Sequence, residues 1–113
     1  MDELEILHIT KNLEKLIQLT SCNSVFLAIL KQNFILDQED IQKLKLVHLT
    51  EYEQARQLYS ILEGRQNAYQ ILMLALKETK QSGAFVILEE LFQLHPSEKT
   101  KMSKVHYSSY WTG

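Results

Sequence analysis

Apolar residues at the start of the chain recur at the three- and four-residue spacing of an amphipathic helix. This stripe predicts a first helix from about Asp2 to Leu19. Thr10 and Asn12 are poorer helix formers, so the pattern leaves room for a kink near them. The stripe consists of Ile6, Ile9, Leu13, Leu16 and Ile17.

The next element is apolar on nearly every side and is predicted as a second helix, from about Ser24 to Gln32. A helix of this kind is usually buried between others. Taken alone, the run Val25–Leu30 would also suit a strand. The chain contains neither Asn-Gly nor Asp-Gly, the dipeptides that mark hairpins, and only three Gly and one Pro. The scarcity of turn signals therefore favours helix here and an all-α fold throughout.

Two further helices are indicated by their N-terminal caps. Asp37 can cap a third helix, with Asp40 in its first turn. Thr50 and Glu53 form a capping-box pattern that opens a fourth. The inner faces of these two helices are predicted at Ile41, Leu44 and Val47, and at Tyr52, Ala55, Leu58, Tyr59 and Leu62.

The last two helices are bounded by Gly and Pro. Gly64 suits a left-handed C-cap, and a central fifth helix is predicted from about Gln66 to Lys80. Ser82 can cap a sixth helix, which Pro96 stops. The sequence thus predicts a six-helix antiparallel bundle over residues 1–94, followed by a flexible tail or linker over residues 95–113.

Composition excludes several classes of function. The formal net charge of −2 argues against a general binder of nucleic acid or anionic membranes. Cys22 is alone, so no disulfide can form within the chain, and a reducing, cytoplasmic location is expected. No apolar run has the length of a membrane span, and the acidic N-terminus does not suit a signal peptide.

No catalytic or cofactor motif is evident. Cys22 has no sequence partner that would make it a nucleophile, and the chain has no Gly-rich phosphate loop. The histidines lack metal-ligand spacing, so neither a metal nor another cofactor is expected. They are His8, His48, His95 and His106. A stacking platform for nucleic acid at Lys104, Tyr107, Tyr110 and Trp111 is disfavoured against a plain linker.

The C-terminal half of the helical region resembles a caspase recruitment domain of the death-fold superfamily. The resemblance rests on Ala68-Tyr69, on Ala75–Gln81 (ALKETKQ) and on Ile87–Leu91 (ILEEL), with support from Ile9–Leu13 (ITKNL). Prodomains of initiator caspases are most similar, and the resemblance covers about residues 3–94. It departs from the family at Gly64-Arg65-Gln66, where Arg-Gly is common, and no caspase catalytic motif is present.

In that fold the first and fourth helices are neighbours, which would join three cations into one basic patch. Lys11 and Lys15 are four residues apart on one predicted helix, and Arg56 lies on the other. Acidic residues crowd the start of the third helix and would form a second patch of opposite sign. These residues are Asp37, Glu39 and Asp40. Ordinary solvated charge is the alternative explanation for both groups.

The resemblance implies a homotypic interaction module without enzymatic activity of its own. We expect an apoptotic initiator caspase prodomain that binds the matching domain of an adaptor, or another copy of itself, through unlike charges. Such heterologous contacts can propagate into helical assemblies. One alternative is a stand-alone adaptor or decoy of the same family, which regulates caspase or inflammatory signalling. Another is a small helical enzyme or ligand carrier, which would require a concave site.

Overall fold

The computed structural model describes residues 1–46 and 48–94, and every regular element in this part of the chain is an α-helix. An all-α fold is therefore confirmed for these residues. The tail predicted for residues 95–113 and the inward position predicted for Val47 lie outside them. The helices are α1 (Glu3–Lys11), α2 (Leu13–Leu19), α3 (Ser24–Gln32), α4 (Gln38–Leu44), α5 (Glu51–Glu63), α6 (Ala68–Glu78) and α7 (Ser82–Leu94).

The described region has seven helices, and not the six predicted, because the first predicted helix breaks at Asn12. The side-chain amide of Asn12 donates a hydrogen bond to the His8 carbonyl oxygen at 2.9 Å. A side chain that binds the backbone in this way offers the chain an alternative to regular helix. The kink expected near Thr10 and Asn12 is thus a complete break between α1 and α2.

Helix α6 lies at the centre of the bundle, as predicted, and packs against α3, α5 and α7. Its inner face contributes Leu72 and Leu76, both fully buried, to one continuous apolar core. Tyr59 and Tyr69 are the largest buried side chains, and each hydroxyl has a partner. Tyr59 pairs with the Thr20 hydroxyl at 2.7 Å, and Tyr69 donates to the Leu88 carbonyl oxygen at 2.5 Å. Burial of these polar groups is therefore compensated.

Three local predictions are wrong. Helix α3 is not buried on every side, because Val25 is 62% exposed. Gly64 follows α5 with φ −90°, and the left-handed residue of that connection is Asn67 at φ 61°. Ser82 is the first residue of α7, and the Phe85 N–H donates to the Gln81 carbonyl oxygen at 3.2 Å. Each error concerns a helix end or an outer face, where contacts with distant parts of the chain determine exposure and backbone conformation.

The capping predictions for α4 and α5 are confirmed. Asp37 and Thr50 each accept a hydrogen bond from the backbone N–H three residues ahead, and their own backbone N–H donates in return to the carboxylate of Asp40 or Glu53. A third capping box, Asp2 with Glu5, opens α1. Among the described residues no single helix has both the length and the apolarity to cross a membrane. Only α2 with α3, bent by 115°, reaches that length and composition together.

Candidate protein-interaction surfaces

Two of the three predicted cations, Lys11 and Arg56, line one cleft between the α1–α2 junction and α5. Its volume is about 290 Å³. Apolar Leu13 and Ile17 also line it; Leu13 is partly buried and Ile17 is only 4% exposed. We call this feature the basic cleft; the residues that complete it are Thr10, Glu14 and Tyr52. The neighbour relation expected between the first and fourth predicted helices is confirmed, since α2 packs against α5.

A hydrogen bond between Tyr52 and Glu14 closes one wall of the basic cleft. The Tyr52 hydroxyl donates to the Glu14 carboxylate and joins α5 to α2. Tyr52 was predicted on the inner face of its helix, yet it is 39% exposed, because its ring lies at the cleft and its hydroxyl reaches Glu14. This bond raises the pKa of Tyr52, while the positive charge of Arg56 acts to lower it.

The third predicted cation, Lys15, is not among the residues that line the cleft. Its four-residue spacing from Lys11 assumed one continuous helix, but Lys11 ends α1 and Lys15 belongs to α2. The prediction that these two lysines share a helix face is therefore wrong. Lys11, Lys15 and Arg56 are all exposed, and none forms a salt bridge to another described residue.

At the start of α4 the predicted acidic patch divides into two parts. Asp40 is only 5% exposed and forms a two-bond ion pair with Arg65, at 2.8 Å and 3.1 Å. The prediction that Asp40 belongs to an exposed patch is thus wrong, because it is buried in an ion pair with Arg65, 25 residues away in sequence. Burial acts to raise the pKa of Asp40, but the hydrogen bonds from Arg65 and the Asp37 backbone outweigh it. The pKa therefore lies below its ordinary value.

Arg65 connects three parts of the fold through its hydrogen bonds. Besides pairing with Asp40, its guanidinium donates to the Ile35 carbonyl oxygen at 2.9 Å. Its own carbonyl oxygen accepts a hydrogen bond from the Met1 ammonium group at 2.6 Å. The α5–α6 connection is thereby tied to the start of α4 and to the N-terminus. Arg65 lies in the segment Gly64-Arg65-Gln66, where the sequence departs from the caspase recruitment pattern.

Asp37 and Glu39 remain exposed, and we call this pair the acidic end. One Asp37 carboxylate oxygen accepts the Asp40 backbone N–H at 2.9 Å. The Glu39 side chain is 77% exposed and lies 3.9 Å from the ammonium group of Lys43, one turn ahead. A contact of that length between exposed groups is weak. The charges of Asp37 and Glu39 are therefore open to an approaching partner.

Two other chemistry-bearing side chains serve the fold. Burial raises the pKa of the Cys22 thiol to about 12, helped by the nearby charge of Glu51. The thiol is thus protonated at neutral pH, which is the wrong state for a nucleophile. His8 is 7% exposed, and its Nε2 donates to the Ile87 carbonyl oxygen at 2.7 Å, joining α1 to α7. In the described part of the chain no three His, Cys, Asp or Glu side chains cluster as a metal site.

The sequence did not indicate the hydrogen bond between Glu14 and Tyr52 or the ion pair that Arg65 forms with Asp40. The pattern Asp37-x-x-Asp40 carried a signal, because a capping acid in the first turn is already engaged with the backbone. Nothing local marked Arg65 as its partner, or brought Glu14 and Tyr52 together across 38 residues. No family model matches the chain, and no curated protein or solved structure shows significant similarity to it.

Proposed function

We propose that the chain is a homotypic protein–protein interaction module of the caspase recruitment class. In this proposal the bundle is a death fold whose first helix is broken at Asn12. Its resemblance to initiator caspase prodomains makes an adaptor's matching domain, or a second copy of this chain, the expected partner. The single thiol suits a reducing cytoplasm.

The observation that carries the proposal is that opposite charges remain exposed on two different parts of the fold. The basic cleft presents Lys11 and Arg56 without ionic partners among the described residues, around apolar Leu13 and Ile17. The acidic end presents Asp37, the N-cap of α4, and Glu39 in the first turn of that helix. The acidic end of one copy thus complements the basic cleft of the next in charge.

A contact between two unlike surfaces is heterologous, so each bound copy offers a free basic cleft or a free acidic end to another copy. Each exposed ion pair contributes only about 0.2–1 kcal/mol, which makes a single contact weak. Charge complementarity mainly sets partner choice and the rate of encounter. Strength would come from multivalency, because tethered copies reach effective concentrations in the millimolar range. A protease domain joined to such a module would be activated by proximity.

Charge reversal in the basic cleft tests this function. The probe is the full 113-residue chain in solution, binding to a surface that displays many copies of the same chain. We expect Lys11→Glu with Arg56→Glu to weaken binding at least tenfold at physiological salt, with helical content unchanged. Wild-type binding should also fall as salt rises, since exposed charges are screened.

Lys80→Glu provides the matched control for Arg56→Glu. Lys80 is exposed in the α6–α7 connection and belongs to neither the basic cleft nor the acidic end. We expect Lys80→Glu to retain most of the binding that Arg56→Glu loses. Equal losses in the two variants, or no loss in either with the fold intact, would contradict the proposal.

A further inference from the structure

Phe34 is the most exposed large apolar side chain in the described residues, at 93% of its surface. The next, Val25, is 62% exposed. Phe34 lies in the connection between α3 and α4, and Asp37 follows three residues later. A phenyl ring this exposed contributes little to the stability of the fold, because almost none of its apolar area is removed from water.

The backbone of Phe34 is also unfavourable. It adopts φ 63°, in the left-handed region that bulky residues avoid. The hydrogen bonds explain the geometry: the Phe34 N–H donates to the Lys31 carbonyl oxygen, and the Ile35 N–H to that of Leu30, both at 3.0 Å. This is the Schellman arrangement, in which the left-handed position usually holds Gly. The chain thus places an aromatic residue where glycine would suit the fold better.

The end of α6 shows the same geometry with a polar residue. Lys80 adopts φ 60°, and its N–H donates to the Lys77 carbonyl oxygen at 3.1 Å. The Gln81 N–H donates to the Leu76 carbonyl oxygen at 2.8 Å. A flexible lysine can remain in water at such a site, whereas a phenyl ring there exposes apolar surface. The turn itself therefore does not require an aromatic side chain.

We propose that Phe34 is the aromatic anchor of the acidic end and that it inserts into the basic cleft of a second copy of this chain. This inference rests on the proposed function for the identity of the cleft. Backbone strain combined with an exposure of 93% points to a role outside the fold. Buried aromatic anchors carry much of the binding energy at protein interfaces.

The partner surface follows from its chemistry. The basic cleft places the cations Lys11 and Arg56 beside the partly buried Leu13, so its cations can contact a ring and pair with the carboxylates that flank it. Arginine and lysine also bind aromatic faces directly. Lys31, beside Phe34, keeps its positive charge and donates a hydrogen bond of 2.5 Å to Gln38, so the negative charges offered to a basic partner are those of Asp37 and Glu39.

Phe34→Asn tests the anchor, since Asn tolerates the left-handed conformation. In the full chain we expect the urea midpoint of unfolding to stay level or rise, while binding to the multivalent surface falls at least tenfold. Lys80→Asn is the matched control: it makes the same substitution at the same helix-end geometry and should leave binding unchanged. Undiminished binding by Phe34→Asn would overturn the anchor and leave the charge-based function standing.

A photo-crosslinking phenylalanine at position 34 identifies the receiving surface. We expect it to join a second copy within residues 10–17 or 52–56, the two segments that line the basic cleft. Crosslinks confined to any other segment, or no intermolecular crosslink, would overturn insertion into the cleft. If Phe34→Asn abolishes binding but reversal of Lys11 and Arg56 does not, the proposed function fails together with the assignment of the cleft.

Discussion

The two charged regions of this molecule looked alike in sequence but differ in structure. In the predicted acidic patch, one of the three carboxylates, Asp40, is buried and paired with Arg65. In the basic cleft, Lys11 and Arg56 line a concave surface and have no ionic partner among the described residues. Whether a charge serves stability or binding is thus decided by a partner distant in sequence.

The buried ion pair and the exposed cations also differ in what they contribute energetically. A buried carboxylate that loses its partner leaves an uncompensated charge, which is costly. Exposed cations contribute little to stability, and they are free to select a partner. Substitutions at Asp40 should therefore act on unfolding, whereas substitutions at Lys11 and Arg56 should act on binding.

The largest effect is expected from Asp40→Ala. This change removes the ion pair with Arg65 and one half of the α4 capping box. Since the Arg65 side chain is 37% exposed and can be rehydrated, we expect a loss of about 2–3 kcal/mol in the free energy of unfolding. Urea denaturation followed by circular dichroism measures it.

Glu39→Ala is the control for that change, because it removes an exposed carboxylate from the same helix. Its effect on unfolding should stay below about 0.5 kcal/mol, as for other weak surface pairs. Similar losses for Asp40→Ala and Glu39→Ala would contradict the division of the predicted acidic patch into a buried and an exposed part.

A smaller effect is expected in the pH dependence of stability. The pKa of Asp40 is lowered in the folded state, so its contribution is complete above the unfolded value of about 3.9. The contribution is lost as the pH falls through the lower folded value. Asp40→Asn should therefore flatten the fall in unfolding free energy between about pH 5 and pH 2. Equal slopes for Asp40→Asn and wild type would contradict the role of the pair with Arg65.

A substitution at Lys15 tests whether binding is confined to the basic cleft. It carries the same charge as Lys11 and is exposed, but it lies outside the cleft. We expect Lys15→Glu to weaken binding to the multivalent surface less than Arg56→Glu does, by screened long-range repulsion alone. A loss for Lys15→Glu as large as that for Arg56→Glu would mean that a diffuse basic face, and not the cleft, makes the contact.

The smallest effect is a titration shift within the cleft. The Glu14 hydrogen bond raises the pKa of Tyr52, and Arg56 acts in the opposite direction. Glu14→Gln should therefore lower the pKa of Tyr52, and Arg56→Gln should raise it. Nuclear magnetic resonance of the tyrosine ring carbons resolves this residue from the other tyrosines. An unchanged pKa in both variants would mean that the cleft is not closed by the Glu14 bond in solution.

Most of the helical pattern could be predicted because its signals are local. The caps at Asp37 and Thr50 and the central position of α6 follow from residues within a few turns of each other. The break at Asn12 was marked only by weak propensity. The roles of Asp40 and Tyr52 could not be predicted, because their partners lie 25 and 38 residues away.

Phe34 illustrates a different limit of prediction. A phenylalanine just before two buried apolar residues, Ile35 and Leu36, looks in sequence like part of the core. The Schellman turn after α3 reverses the chain at this residue and directs its side chain into water. Hydrophobic pattern alone cannot separate a core position from an exposed one at such a helix end.

A complementation experiment between two variants of the full chain tests whether the acidic end of one copy meets the basic cleft of another. One, Lys11→Glu with Arg56→Glu, lacks the basic cleft. The other, Phe34→Asn with Asp37→Asn and Glu39→Gln, lacks the acidic end together with its Phe34 anchor but keeps a capping side chain at position 37. Sedimentation of each variant alone, of their mixture and of wild type, at high protein concentration, compares the assemblies.

Each variant keeps one working surface, so a heterologous contact can form only between unlike variants. We predict that neither variant associates alone, that the mixture forms a one-to-one dimer that grows no further, and that wild type forms larger assemblies. A mixture that remains monomeric while wild type associates would contradict the claim that the basic cleft meets the acidic end.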